Sequence, residues 1–162
     1  MKATLLTVAL AAFASACSYS HIGPATATFV HPAPAVDAGV LAVQAGPLVL
    51  RISRHVDTIM NGPDNDEDQL LVLEVHDFRL NERLAVPSDS VAPQFTATRF
   101  GPSSKGDSFK GFLIVKKVTP RRVSAYLYID VTASTASGSY TQTAKFHGDY
   151  KFVRGTPDLP AP

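Results

Sequence analysis

The feature that most constrains this chain is an alternation of apolar and polar residues in two neighbouring segments, 122–132 and 140–152. Val123, Ala125, Leu127, Ile129 and Val131 are interleaved with Arg122, Ser124, Tyr126, Tyr128, Asp130 and Thr132. Successive side chains of a strand point to opposite faces, so a period of two describes a strand with one face in a core and the other in water. The following segment repeats the pattern. Tyr140, Ala144, Phe146, Tyr150 and Phe152 share one face, while Thr141, Thr143, Lys145, His147, Asp149 and Lys151 share the other. Gly148 falls on the apolar face, where glycine marks a bulge or a close approach of another backbone. The stretch from Ser134 to Ser139 is small, polar and contains Gly138, as a hairpin loop should be.

Upstream, Phe109 to Val118 reads as a third strand, closed by Thr119-Pro120-Arg121, where proline presets the φ of the second turn position. These three strands form a meander. Earlier strands are expected at Val40–Gln44, Leu48–Ser53, Leu70–Phe78 and Gln94–Phe100, with Gly46-Pro47 dividing the first two. Asn61–Asp68 reads as an acidic loop, Pro102–Asp107 as another turn, and Val56–Met60 as a short helical turn. No segment sustains a helical period with caps at both ends. About seven to eight short strands joined by Gly/Pro turns predict an all-β domain, either an antiparallel sandwich or a small barrel.

The N-terminal residues describe an address. Met1-Lys2 is a short basic start, and Ala3–Ala14 is almost wholly apolar or small. A basic start, an apolar run of this length and a small-residue end predict a secretory signal peptide. The run is shorter than the ~20 residues that cross a bilayer as a helix. Ala14-Ser15-Ala16-Cys17 resembles the lipobox of bacterial lipoproteins, in which small residues precede a cysteine that is acylated and becomes the new N-terminus. The chain has alanine at position 14 where that pattern most often has leucine. Cys17 is the chain's single cysteine, so it has no partner for an internal disulfide, and lipidation gives an unpaired secreted cysteine a role. Acyl chains contribute about 0.8 kcal/mol per buried CH₂, and two or more hold firmly. By the same resemblance, Ser18 rather than aspartate after the cysteine implies the outer membrane, with the domain facing the periplasm.

This divides the chain into a signal peptide (1–16), a lipidated N-terminus with a Pro-rich tether (17–37), a β-domain (38–155) and a disordered tail (156–162). Pro24, Pro32 and Pro34 oppose helix and central strand, so the tether is expected to be extended and to lift the domain off the membrane. Cleavage before Cys17 leaves 146 residues, enough for one domain with a real core. It also removes Lys2, so lysine plus arginine falls from 15 to 14 and equals aspartate plus glutamate at 14. A neutral chain has no basic field for nucleic acid and no polybasic arm for a membrane.

Gly111-Phe112-Leu113-Ile114-Val115, Val118, Val123-Ser124-Ala125-Tyr126-Leu127 and Phe146-His147-Gly148-Asp149-Tyr150-Lys151-Phe152 resemble the last three strands of small β-rich bacterial lipoproteins of unknown function. Ala125 stands where those have glycine. The resemblance covers about a third of the chain and implies a fold, without catalytic residues.

Catalytic signals are sparse. Gly106-Asp107-Ser108-Phe109 is similar to the nucleophile block of GDSL-type esterases, but that family also needs Asp-x-x-His, and Ala144 stands three residues before the last histidine, His147. Ser53, His55 and Asp57 share a face of one strand, which does not provide nucleophile–base–orienter geometry. The densest carboxylate run is Asp64-Asn65-Asp66-Glu67-Asp68. Its alternating Asp64, Asp66 and Asp68 are the only calcium candidate, and a weak one: Gln69 replaces the glycine of an EF-hand loop and Val75 its bidentate glutamate. The plain reading of this run is a solvated loop. Glu74 and His76 are a further pair on one strand. His21, His31, His55, His76 and His147 are scattered without zinc spacing. Tyr126, Tyr128 and Arg122 form either an outward ligand or partner surface or, as the plainer reading, a packing face. The expectation is therefore a non-catalytic, lipid-anchored envelope domain without a cofactor. It would meet an envelope protein, a cell-wall component or a small apolar ligand. The alternative is a periplasmic hydrolase whose site is assembled only in the fold.

Overall fold

A computed structural model describes residues 20–22, 25–30, 47–58, 66–99, 103–135 and 141–155. Among them are nine strands and no helix: β1 (Ser20–Ile22), β2 (Thr26–Val30), β3 (Leu48–Thr58), β4 (Glu67–Val75), β5 (Arg83–Val86), β6 (Val91–Arg99), β7 (Ser103–Val118), β8 (Arg122–Thr135) and β9 (Thr141–Arg154). The sheet runs β3-β2-β9-β8-β7-β6-β4 and closes on itself through β3–β4. The domain is thus a seven-stranded barrel, the second of the two all-β architectures expected. Closure gives each of the seven strands a neighbour on both sides over at least part of its length and so shortens the open edges that a sandwich must protect. The two short strands fill in: β1 and β2 share one edge of β3, and β5 and β6 share one edge of β7.

All pairings are antiparallel except β2–β9, which is parallel. The registers define two ends. The upper end gathers the start of β1, the end of β3, the start of β4 and the β8–β9 hairpin; the lower end gathers Leu48, Val75, Val91, Val118 and Arg122.

Alternation places the core as expected. Val123, Ala125, Leu127, Ile129 and Val131 are fully buried, with Leu48, Leu50 and Ile52 of β3, Leu71, Leu73 and Val75 of β4, and Phe146 and Phe152 of β9. Burying each large aliphatic side chain stabilises the fold by roughly 1.5–3 kcal/mol. This interior holds the apolar cluster, and β9 turns Thr143, Lys145, His147, Asp149 and Lys151 outward. A barrel facing lipid has the opposite polarity. No helix of the described residues is long and apolar enough to cross a membrane.

The meander β7–β8–β9 is longer than its sequence suggests. β7 begins at Ser103, inside the turn expected at Pro102–Asp107, and runs through it with a register shift at Gly106/Ser108; a second shift lies at Val115/Lys117. Such bulges bend a strand and let β7 serve β6 above and β5 below. Gly111 is obligatory there: its φ is +153° and a Cβ would overlap the Tyr128 carbonyl oxygen. Gly148 is neither a bulge nor a close approach. It stays in register opposite Leu127, and its φ of +127° is what calls for glycine. The Thr119–Arg122 turn closes as expected, with the Thr119 N–H and hydroxyl both donating to the Arg122 carbonyl at 2.8 Å.

Other expectations need correction. The Pro-rich tether over 18–37 contains β1 and β2, and β2 completes the barrel; Thr26–Val30 lies between prolines and carries none, so it is free to pair. The helical turn at Val56–Met60 gives way to strand as far as Thr58, and the acidic loop gives up Glu67 and Asp68 to β4. β5 was not expected at all. The strand expected at Val40–Gln44 lies outside the described residues.

Candidate functional site

Three constellations stand out. The first is inside. β3 and β4 carry their apolar phase upward into polar residues: Leu48, Leu50 and Ile52 lead to Arg54, while Val75, Leu73 and Leu71 lead to Gln69 and Glu67. Arg54 is 8% exposed. Its Nε donates to Gln69 Oε1 at 2.8 Å and its Nη1 to the Lys145 carbonyl at 2.8 Å, and Gln69 Nε2 donates to Glu67 Oε1 at 2.6 Å. The guanidinium lies 4.0 Å from the centre of the Phe146 ring. A buried charge is costly unless polar partners compensate it, and this one is hydrogen-bonded through Nε and Nη1. Burial pushes the Arg54 guanidinium below its ordinary value, while Tyr150 and Glu67 act in the opposite sense. Burial likewise pushes the Tyr150 hydroxyl up, and Arg54 pulls it partly back.

This cluster has a mechanical role. β2 meets β9 only at Thr28↔Val153 and Phe29↔Arg154. Above those positions, among the described residues, β9 is paired to β8 alone. The Arg54 side chain spans from β3 to the β9 carbonyl of Lys145 and braces the seam where backbone pairing stops.

The second constellation is on the outer wall, across β5, β7, β8 and β9. Arg83 lies 3.8 Å from the Phe112 ring centre. Phe112 stacks on Tyr128 at 5.7 Å and Tyr128 on His147 at 3.9 Å, with the rings within 15° of parallel. His147 Nε2 is 2.9 Å from Asp130 Oδ1. Tyr126 stacks on Phe112 at 6.0 Å, and Lys116 lies 5.5 Å from the Tyr126 ring centre while donating to Asp149 at 2.6 Å. The residues of this column occupy adjacent strands, so their ring faces engage one another and leave edges for solvent. Tyr128 is 43% exposed. Tyr126 and Tyr128 therefore pack within their own sheet, whereas Arg122 belongs to the turn at the lower end.

The third lies at the upper rim. His55 Nδ1 is 2.8 Å from Asp68 Oδ1, and its Nε2 is 3.9 Å from Asp66 Oδ2. Asp64 and Cys17 lie outside the described residues. Asp66 and Asp68, two of the three alternating carboxylates of the acidic run, thus flank a histidine, and the described residues contain no group of three or more acidic, histidine or cysteine side chains arranged to hold a metal.

The remaining catalytic suspects stay apart. Ser108 pairs opposite Thr132, which pairs opposite Thr143, four residues along β9 from His147. Asp107 accepts a hydrogen bond from Ser134. Ser53 and His55 face outward, with His55 turned to Asp68. His76 lies past the end of β4, its N–H donating to the Ser90 carbonyl at 2.9 Å. Sequence reasoning missed Arg54, Glu67, Gln69, Phe112 and Asp130. For the first three there was a signal: polar residues continuing an apolar phase. Phe112 and Asp130 needed the register.

No protein-family model matches the chain, and no curated protein or solved structure matches it.

Proposed function

We propose that this chain is a lipid-anchored cell-envelope barrel that works without catalysis, as a binding or structural lipoprotein of the outer membrane facing the periplasm. The observation that carries the reading is Ala14-Ser15-Ala16-Cys17 behind an apolar run, followed three residues later by the first strand of a folded barrel. Buried apolar side chains line the barrel interior, and the outer wall offers a surface for a partner. The wall around Phe112, Ile114, Tyr126 and Tyr128 suits such contact: a partly exposed apolar centre is bordered by Arg83, Lys116, Asp130 and Asp149. An aromatic centre within a charged rim is the common anatomy of protein interfaces. An envelope protein is thus favoured over a small apolar ligand.

The deciding experiment expresses the full chain and Cys17→Ala in a Gram-negative host, with fractionation and the mass of the mature N-terminus. Acylated Cys17 in the outer-membrane fraction, with the variant unprocessed or soluble, supports the reading. An unacylated wild-type chain free in the periplasm sinks it. A hydrolase reading draws on one observation, the His147–Asp130 pair as a base with its orienter. Labelling of the folded protein by a fluorophosphonate probe, lost in His147→Gln, would favour that alternative.

A further inference from the structure

We infer that the upper end of the barrel lies directly against the membrane, with the lower end pointing away into the periplasm. The inference rests on acylation of Cys17 and adds which surface meets the bilayer. Only Ser18 and Tyr19 separate Cys17 from Ser20, the first residue of β1. Three residue steps span at most about 11 Å even when fully extended. A Pro-rich spacer running from 18 to 37 would have reached about 60 Å.

The position of β1 supplies the direction. Ser20 pairs with Thr58, His21 with Asp57 and Ile22 with Val56, at the last turnless stretch of β3 before the upper end. The chain enters the sheet at the top and runs downward through β1 and β2, the latter alongside Ser53 to Val49. An anchor before Ser20 is therefore tied to the end that holds Glu67, Ser103, Thr135 and Thr141. The turn at Thr119–Arg122 occupies the opposite end. The fourteen residues of β8 separate the two ends, which at the rise and tilt of barrel strands is about 30 Å. An 11 Å leash cannot turn a body of that height over without freeing β1 from β3.

The surface held there is not a basic patch. His55, Asp66 and Asp68 lie on its rim, and Lys105 and Lys145 are exposed nearby. Contact with lipid headgroups is imposed by the length of the leash rather than by charge, so it should persist at high salt, where electrostatic adsorption is screened.

The chain contains no tryptophan, which allows clean reporters. Thr98, exposed near the upper end of β6, and Arg121, exposed at the lower end, are replaced singly as Thr98→Trp and Arg121→Trp in the full chain. The acylated proteins, checked by mass, are reconstituted into phosphatidylcholine vesicles containing headgroup spin-labelled lipid. Quenching of Thr98→Trp several-fold stronger than that of Arg121→Trp, unchanged in high salt, is expected. A fifteen-residue Gly/Ser insertion after Ser18 should abolish the difference while leaving acylation intact. Equal quenching of both reporters in acylated protein overturns the orientation and leaves the anchor standing. An unacylated N-terminus overturns the anchor and the orientation with it.

Discussion

The two sides of the barrel are built differently. On one side β8 keeps an unbroken antiparallel register with β9 from Arg122↔Val153 to Ser134↔Thr141. On the other, β2 meets β9 in parallel at two positions, and a guanidinium carries the connection higher. The meander side consists of neighbours in sequence, so its pairing costs little chain entropy to close. The seam joins residue 29 to residue 154, and non-local pairing must offset a larger loop-closure cost before it is rewarded. The seam is thus where the barrel should open first.

The largest effect tests the meander. Gly111→Ala drives a methyl group into the Tyr128 carbonyl, so loss of folding, or destabilisation above about 4 kcal/mol, is expected in urea titration. Next, Phe29→Ala empties a fully buried position on β2 and should cost about 3–5 kcal/mol. Hydrogen exchange sharpens the comparison: wild-type β2 amides should exchange faster than those of Leu127 and Ile129, and Phe29→Ala should widen that gap. Equal protection on both sides would break the distinction.

Arg54→Ala removes the brace and leaves Gln69 and the Lys145 carbonyl without their donor. A cost of about 3 kcal/mol is expected, and Arg54→Met should recover part of it by filling the space. The two measured midpoints decide whether the bond or the packing matters. At the outer wall, Tyr128→Ala breaks a stack between partly exposed rings and should cost only about 1 kcal/mol. The smallest effect is one of pH. The Tyr150 hydroxyl is raised in the folded state, chiefly by burial. Its contribution is then complete below its unfolded value of about 10 and is lost as pH rises through the folded value. Alkaline melting curves of Tyr150→Phe should fall less steeply than those of wild type.

Much of this was legible. From Val123 to Val131 and from Ala144 to Phe152 the period announced both the strands and their buried face, because inside and outside differ by one residue step. The short β5 was hidden, since Arg83–Val86 is too brief to show a period. β2 was hidden for another reason: proline density around Thr26–Val30 suggested a spacer, and only the free edge of β3 gave those five residues a partner. The candidate surfaces divide the same way. Arg54, Glu67 and Gln69 could have been found as polar residues in an apolar phase. The column of Arg83, Phe112, Tyr128 and His147 could not, because it draws one residue from each of four strands.

The sequence by itself determined that the domain is β-rich and which face of β8 and of β9 is buried, since these follow from local periodicity. Tertiary structure decided that the sheet closes into a barrel, that a buried arginine braces its seam and that the chain enters at the upper end. Each of these depends on which strands become neighbours, a relation between residues far apart that no local period encodes.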